Sequence, residues 1–346
     1  MRPKLSALFL LLLTVPALAI AQAGPRTLDV PAAAAWRHAR TGLILPPAID
    51  GLTRTEIRDL GGEELDVVAG YENRDEGVVA TVYLYETGAP DVPLWFDRAL
   101  TAIMARPEYG LAGAPLPAPA AFARPGAANA SGLRAAVDLA APGAGSTALA
   151  IAPLGSFQLK IRISAARLDR AALDQRLTRF IAGVRWPAEA ARPAPAAVPV
   201  EPCPAPLQLR NARLLRTDMA DALMMGALAG IELTDESGNH PPPPVYCREP
   251  GATADWGVYR PNAATDSYLI ALNDAGIAYS VGEQLDLGAL TGQGSSGRRF
   301  ALTLLNRNTT GVVASFNRPP PPEQAMAAAQ RGGPTILIST SPPAHN

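Results

Sequence analysis

Lysine is nearly missing from this 346-residue chain: Lys4 and Lys160 are the two present, so arginine carries almost all of the positive charge. Histidine is confined to His38, His240 and His345, cysteine to Cys203 and Cys247, and aromatics make up 5%. Each scarcity removes a class of function. The histidines show no H-x-H or H-E-x-x-H spacing, and two cysteines without histidine neighbours cannot complete a zinc site, so no metal signature is present. Neither sign of charge dominates, with 30 basic against 31 acidic residues. That balance argues against nucleic acid or an anionic membrane surface as partner. With few aromatics, the core must be built mainly of Ala, Val, Leu and Ile. Beyond the first residues there is no apolar run of spanning length. The nearest, Met219 to Leu233, contains Asp221 and Glu232 and reads as a buried or amphipathic helix.

What the chain does have is an export signal at its start. Arg2 and Lys4 form a basic region, Leu5 to Val15 is apolar apart from Ser6 and Thr14, and Pro16 ends the run. Ala17-Leu18-Ala19, Ala19-Ile20-Ala21 and Ala21-Gln22-Ala23 each place small side chains where signal peptidase needs them. Residues 1–21 therefore read as a signal peptide, cut after Ala21 or Ala23. The apolar run is shorter than the about 20 residues of a membrane anchor, and no cysteine precedes Cys203 to accept a lipid. The expected location is periplasmic or secreted, with no membrane span after cleavage. In such an oxidising compartment Cys203 and Cys247 are expected to pair. On the chain-entropy model, closing a loop of that length stabilises by about 4 kcal/mol. The arginine excess would allow bidentate grip on carboxylates or phosphates, but in an Ala-, Pro- and Gly-rich chain it matches GC-rich coding.

The composition divides the mature chain. Seven prolines fall between Pro187 and Pro206, a stretch that cannot hold a helix or a central strand. At about 3.1 Å per residue in the polyproline II form it would act as a spacer. The resulting division is an α+β domain at 27–187, a Pro/Ala-rich linker at 188–206 and a smaller, mixed, β-dominant domain at 207–346. In the first, alternation predicts strands at Leu65–Tyr71 and Val78–Glu86 with a turn at 73–77, and further strands at Leu133–Leu139, Thr147–Ala152 and Phe157–Ser164. The last of these, with Leu159, Ile161 and Ile163 alternating with Gln158, Lys160 and Arg162, reads as buried on one face and wet on the other. Asp91 caps a helix with Trp95, Phe96, Ala99, Leu100, Ile103 and Met104 on its apolar face, and residues 113–132 read as a long loop. A second helix spans Asp169 to Val184. This order predicts an antiparallel sheet covered by helices. In the second domain a helix is expected from Thr217 or Asp218 through Leu228, hairpins at Tyr268–Tyr279 and Phe300–Phe316, a helix at Glu323–Gln330 and a strand at Pro334–Ser339.

The opening Trp36 to Pro46, with Gly42-Leu43-Ile44-Leu45-Pro46, the paired strands, the mid-domain helix and the closing Val184-Arg185-Trp186 resemble PsbP/Mog1-like α/β sandwich domains. They also resemble uncharacterised secreted alphaproteobacterial proteins. The resemblance covers about half the chain, consists of element order, and implies an accessory or binding role with no catalytic residue carried over.

Residues that could carry chemistry are few. Gly292-Gln293-Gly294-Ser295-Ser296-Gly297 matches G-x-G-x-x-G, but Phe300, Leu302 and Leu304 alternate after it, where a dinucleotide site needs a helix. His240 lies in a polar loop after Asp235-Glu236, and His345 is next to the terminus. Adjacent acids at Glu63-Glu64 and Asp235-Glu236 serve acid–base chemistry only if one is buried. There is no G-x-S-x-G elbow. Trp256, Tyr259, Tyr268 and Tyr279, with Arg248, Arg260 and Arg299, would suit either a sugar or peptide groove or a core. No catalytic, cofactor-binding or metal residue is assigned, and the disulfide Cys203–Cys247 is the one designated pair. The functional expectation is an exported, non-catalytic envelope protein that binds or assists another protein. The alternative is a secreted hydrolase or small-ligand binder with its site in the C-terminal domain.

Overall fold

A computed structural model describes residues 24–141, 145–189, 193–216, 242–284, 297–307, 309–333 and 337–339. Among them the chain is mixed α+β, with two nine-stranded sheets, a two-stranded ribbon and three α-helices. The first half contains β1 (Arg26–Thr27), the ribbon of β2 (Trp36–Arg37) and β3 (Ile44–Leu45), β4 (Ala48–Ile49), β5 (Leu52–Asp59), β6 (Asp66–Asn73) and β7 (Val78–Glu86). Helix α1 (Val92–Met104) follows, then β8 (Ala120–Phe122), β9 (Gly132–Asp138), β10 (Ser146–Leu154), β11 (Phe157–Ala165) and α2 (Arg170–Gly183).

The sheet runs β1-β5-β6-β7-β11-β10-β9-β8, antiparallel throughout. Helix α1 carries the chain from the centre of the sheet to its far edge, and the chain returns as a meander that sets β11 beside β7. Register places Ala69, Val82, Ile161 and Ala150 in one row across four strands. Period-two alternation keeps that row on a single face, where Leu173, Leu177 and Phe180 of α2 cover it. Tyr71 and Phe180 meet edge to face at 5.4 Å, and the Tyr71 hydroxyl donates to the Pro46 carbonyl at 2.8 Å. Both helices start on aspartate caps: the carboxylates of Asp91 and Asp169 accept from the Leu94 and Ala172 amides at 2.7 and 2.8 Å. The long loop expected at 113–132 contains the short edge strand β8.

The second half contributes β12 (Glu201–Pro202), β13 (Leu214–Leu215), β14 (Tyr246–Arg248), β15 (Trp256–Pro261), β16 (Tyr268–Leu272), β17 (Ile277–Glu283), β18 (Phe300–Asn306), β19 (Thr309–Phe316), α3 (Pro322–Arg331) and β20 (Ile338–Ser339). The strands order as β12-β14-β15-β16-β17-β18-β19-β13, with β20 also on β19. Both expected hairpins form, and Asn273 and Gly276 turn the first with left-handed φ of 45° and 76°. The helix expected from Thr217 or Asp218 lies outside the described residues. Cys203 and Cys247 form a disulfide beside the parallel pairing of β12 with β14.

The two halves pack against each other. Helix α1 lies between them. Its Leu94, Trp95 and Ile103 share a cluster with Leu149 and Ile151 of β10 and with Tyr259, Leu269 and Ala271 of β15 and β16. Hence the outer face of β11 is dry over its first half, where Gln158 and Lys160 are 1% and 5% exposed, while Arg162 and Ser164 further along are partly exposed. Over that first stretch the polar alternation marks a face covered by the second half. There the Lys160 ammonium donates to the Asp274 carboxylate at 2.8 Å and lies over the Tyr83 ring. The Pro-rich segment is likewise no spacer. The Ala197 amide donates to the Ala130 carbonyl and Asn129 Nδ2 to the Ala194 carbonyl, both at 2.9 Å, while Ala197 and Val200 pack on the shared cluster. Proline-rich chain lacks the donors for a ladder, but its apolar rings and methyls still gain by leaving water.

Candidate functional site

The residues that sequence singled out for chemistry are mostly structural. The His38 ring is fully buried. Its Nδ1 accepts from the Thr41 amide at 3.1 Å, so Nε2 carries the proton and donates to the Glu64 carbonyl at 2.9 Å. Burial holds its pKa below the ordinary histidine value. It therefore clamps two loops as a neutral ring. Glu63 and Glu64 take left-handed φ of 52° and 56°; the Glu64 carboxylate accepts from the Ala39 amide at 3.1 Å and Glu63 faces Arg40. Among the described residues no group of three His, Cys, Asp or Glu side chains is placed to hold a metal ion. His240, His345, Asp235-Glu236 and residues 292–296 lie outside the described residues. Gly297 leads into β18, a strand, where a dinucleotide loop would lead into a helix.

The aromatic and arginine set of the second half does not converge on a groove. Tyr259 and Tyr268 are 0% and 1% exposed. The Tyr268 hydroxyl donates to the Pro320 carbonyl at 2.7 Å. Tyr259 donates to Asp97 at 2.7 Å, and Arg248 pairs with the same carboxylate. Arg260 pairs with Glu249 at 2.7 Å beside the disulfide, and Arg299 donates to the Arg216 carbonyl at 2.7 Å. Their roles are core packing and bracing of the second sheet and of its junction with α1.

The recess with binding character is elsewhere, where the two proline runs meet. A groove of about 880 Å³ is lined by Pro193–Val198, by Pro243–Tyr246, by Val92 and Pro93 of α1 and by Leu154 at the end of β10. Val198 and Val245 on these walls are 57% and 59% exposed, among the few large apolar side chains left to solvent. Apolar lining with a few placed polar groups is the usual make-up of a binding cleft, within its usual size of about 300–1,000 Å³.

Three positioning devices build this groove. The disulfide joins Cys203, at the end of the first proline run, to Cys247, just after the second. The Asp91 cap presents the first turn of α1. Hydrogen bonds from residues 129 and 197 hold the 193–198 wall against the first half.

Its charged groups are Arg40, Arg124, Glu189 and Asp91. Arg40 faces Glu63 and Glu86, Arg124 donates to the Pro187 carbonyl at 3.2 Å and lies over the Trp186 ring, and Glu189 accepts from the Ala128 amide at 3.0 Å. Asp91 differs. Burial pushes its pKa up to about 6 against the opposing Leu94 hydrogen bond, and its charge, together with burial, lifts the Tyr246 phenol above the ordinary range.

The groove was not legible in the sequence because one wall reads as a linker and the prolines of the other, at 243 and 244, carry no periodicity that marks a surface. The expected cysteine pairing was the one signal that brought the two proline runs together. No family model, curated protein or solved structure matches the chain.

Proposed function

We propose that this is an exported, non-catalytic binding protein, periplasmic or secreted, that engages a partner protein through the groove between its proline-rich walls. The observation that carries this reading is the groove itself, with two exposed valines on its walls, since exposed apolar surface gathered at a cleft marks an interaction site. The three-zone amino terminus at 1–21 and the Cys203–Cys247 disulfide support export. So does the finding that, among the described residues, no helix is long and apolar enough to cross a membrane. The division into 27–187, 188–206 and 207–346 stays part of the proposal, with the middle segment acting as a wall. An accessory role agrees with the resemblance to PsbP/Mog1-like domains. The test is native and then denaturing mass spectrometry of the protein recovered from its own cell envelope. The denatured mass should lack residues 1–21 or 1–23 and be two hydrogens short at the cysteines. The native mass should include a partner that is lost in Val245→Asp. A retained amino terminus would overturn export, and an added mass indifferent to Val245→Asp would overturn the groove.

A further inference from the structure

This inference rests on the groove being the binding site and names what it recognises. Asp91 is a carboxylate set in a largely apolar recess. One oxygen accepts from the Leu94 amide at 2.7 Å; the other has no hydrogen bond or ion pair among the described residues. The remaining groove charges are engaged elsewhere. Arg40 faces Glu63 and Glu86, Arg124 is held by main-chain carbonyls and the Trp186 ring, and Glu189 holds the Ala128 amide. From the opposite wall, Tyr246 is the titratable group that senses Asp91. Pro153–Gly155 and Pro193–Val198 present none. The second Asp91 oxygen keeps some access to solvent, and in a recess this apolar a cation arriving there among the described residues would gain by pairing with it. The positive end of α1 offsets about half a charge, which leaves the Asp91 carboxylate itself with a partial negative charge facing the groove.

The 193–198 wall supplies a second feature. It runs without a strand partner among the described residues. Of its amides, Ala197 is bonded to Ala130, whereas those of Ala196 and Val198 have no partner among the described residues. An exposed extended segment with free amides is a template for main-chain pairing.

We propose that the groove binds an extended peptide segment of a partner protein that carries one basic side chain among apolar residues. The cation pairs with Asp91, the flanking side chains pack on Val198, Val245 and Pro93, and the backbone pairs along Ala196–Val198. Because the carboxylate must be ionised to pair, affinity rises as the pH passes upward through Asp91's own titration near 6.

The test is fluorescence anisotropy on the mature full-length chain, disulfide intact. The probes are blocked, labelled heptapeptides Ala-Pro-Val-X-Val-Ala-Ala in which X is lysine, norleucine or glutamate. The lysine peptide should bind about tenfold or more tighter than norleucine at about pH 7.5, the scale of one charge-assisted contact. That advantage should disappear at about pH 5 and in Asp91→Asn. Asparagine caps a helix about as well as aspartate, so the variant keeps α1, and Asp91→Ser provides a second capping control. Equal binding of lysine and norleucine, or a preference that survives Asp91→Asn, overturns the cation assignment but leaves the groove as a peptide site. Hexylamine binding as tightly as the lysine peptide overturns the peptide and makes this an amine site. No binding of any probe at millimolar concentration overturns the groove reading itself.

Discussion

At the level of single residues, Arg98 ties the two halves together. It is fully buried in α1, and its Nε, Nη1 and Nη2 donate to the carbonyls of Asn273, Thr253 and Ala254 at 3.0, 2.9 and 2.9 Å. A planar fork with fixed donors suits three converging carbonyls better than a lysine would. Arg98→Met should lower stability by about 2–3 kcal/mol, since the charge-assisted hydrogen bonds to three loop carbonyls are lost while those carbonyls can turn to water, and urea denaturation would measure it. Asp91 gives a prediction of opposite sense. Its folded pKa of about 6 lies above the ordinary carboxylate value, so between about pH 4 and pH 6 the folded state holds the extra proton. Stability from this group is greatest below that window and falls by about 2–3 kcal/mol as the pH rises through it. Burial likewise raises Asp66 and Asp97, while Lys160 helps to lower Asp274. The check is therefore the difference in denaturation midpoint against pH between the parent and Asp91→Asn; a flat difference would remove the assignment. The cap role of Asp91 was legible in the sequence, but its burial and the role of Arg98 were not. Arg98 sits one position from the apolar stripe of an amphipathic helix, and its three acceptors come from chain about 155 to 175 residues away.

Among elements, α1 and β11 show how far periodicity reaches. Both were expected within a residue or two of where they lie, because a helical stripe and a strict alternation are local signals. What the pattern did not reveal is what covers the other face. Helix α1 buries Asp97 and Arg98 as well as its stripe, and β11 buries Gln158 and Lys160 as well as its isoleucines. The polar residues are satisfied by the second half: Asp97 by Arg248 and Tyr259, Lys160 by Asp274. Lys160→Ala should cost about 1–2 kcal/mol, because Asp274, whose side chain is 40% exposed, then loses its cation but stays open to water. A double-mutant cycle with Asp274→Ala would recover most of that loss as coupling if the pair acts as described. The disulfide belongs to this scale too, fastening the Pro-rich segment to β14. Cys203→Ser with Cys247→Ser should destabilise by about 3–4 kcal/mol, and hydrogen exchange should quicken at the amides of Ala197 and Cys203, which are now bonded. Unchanged exchange there would mean that packing on the shared cluster alone holds the segment.

Taken as a whole molecule, the chain is predicted to unfold as one cooperative unit despite its proline-rich middle. Gly276 has φ of 76° and approaches so closely that a Cβ there would meet the Tyr85 ring at 2.9 Å, and a Cβ on Gly88 would meet the Leu305 carbonyl carbon at 2.7 Å. Thr87 donates to the Gly276 carbonyl at 3.0 Å, and Arg307 pairs with Asp66 at 2.6 Å. Contacts this close couple the two sheets. Thermal transitions followed by tryptophan fluorescence and by far-ultraviolet circular dichroism should therefore coincide, whereas two resolved transitions would show that the halves are independent. The sequence by itself left β5, β14 and β15 unread, and determined β6, β7, β9, β10 and β11, both hairpins of the second half, the helices, the cysteine pairing and the mixed α+β class. All of these rest on local periodicity, on cap chemistry or on the small number of partners two cysteines have. Tertiary structure alone decided that the second half covers α1 and β11, that the proline runs become walls, and that Asp91 lies between them without a cation among the described residues. Those outcomes depend on which surfaces meet across separations of more than a hundred residues, and hydrophobic burial, being non-directional, leaves no trace of its partner in the spacing of either segment.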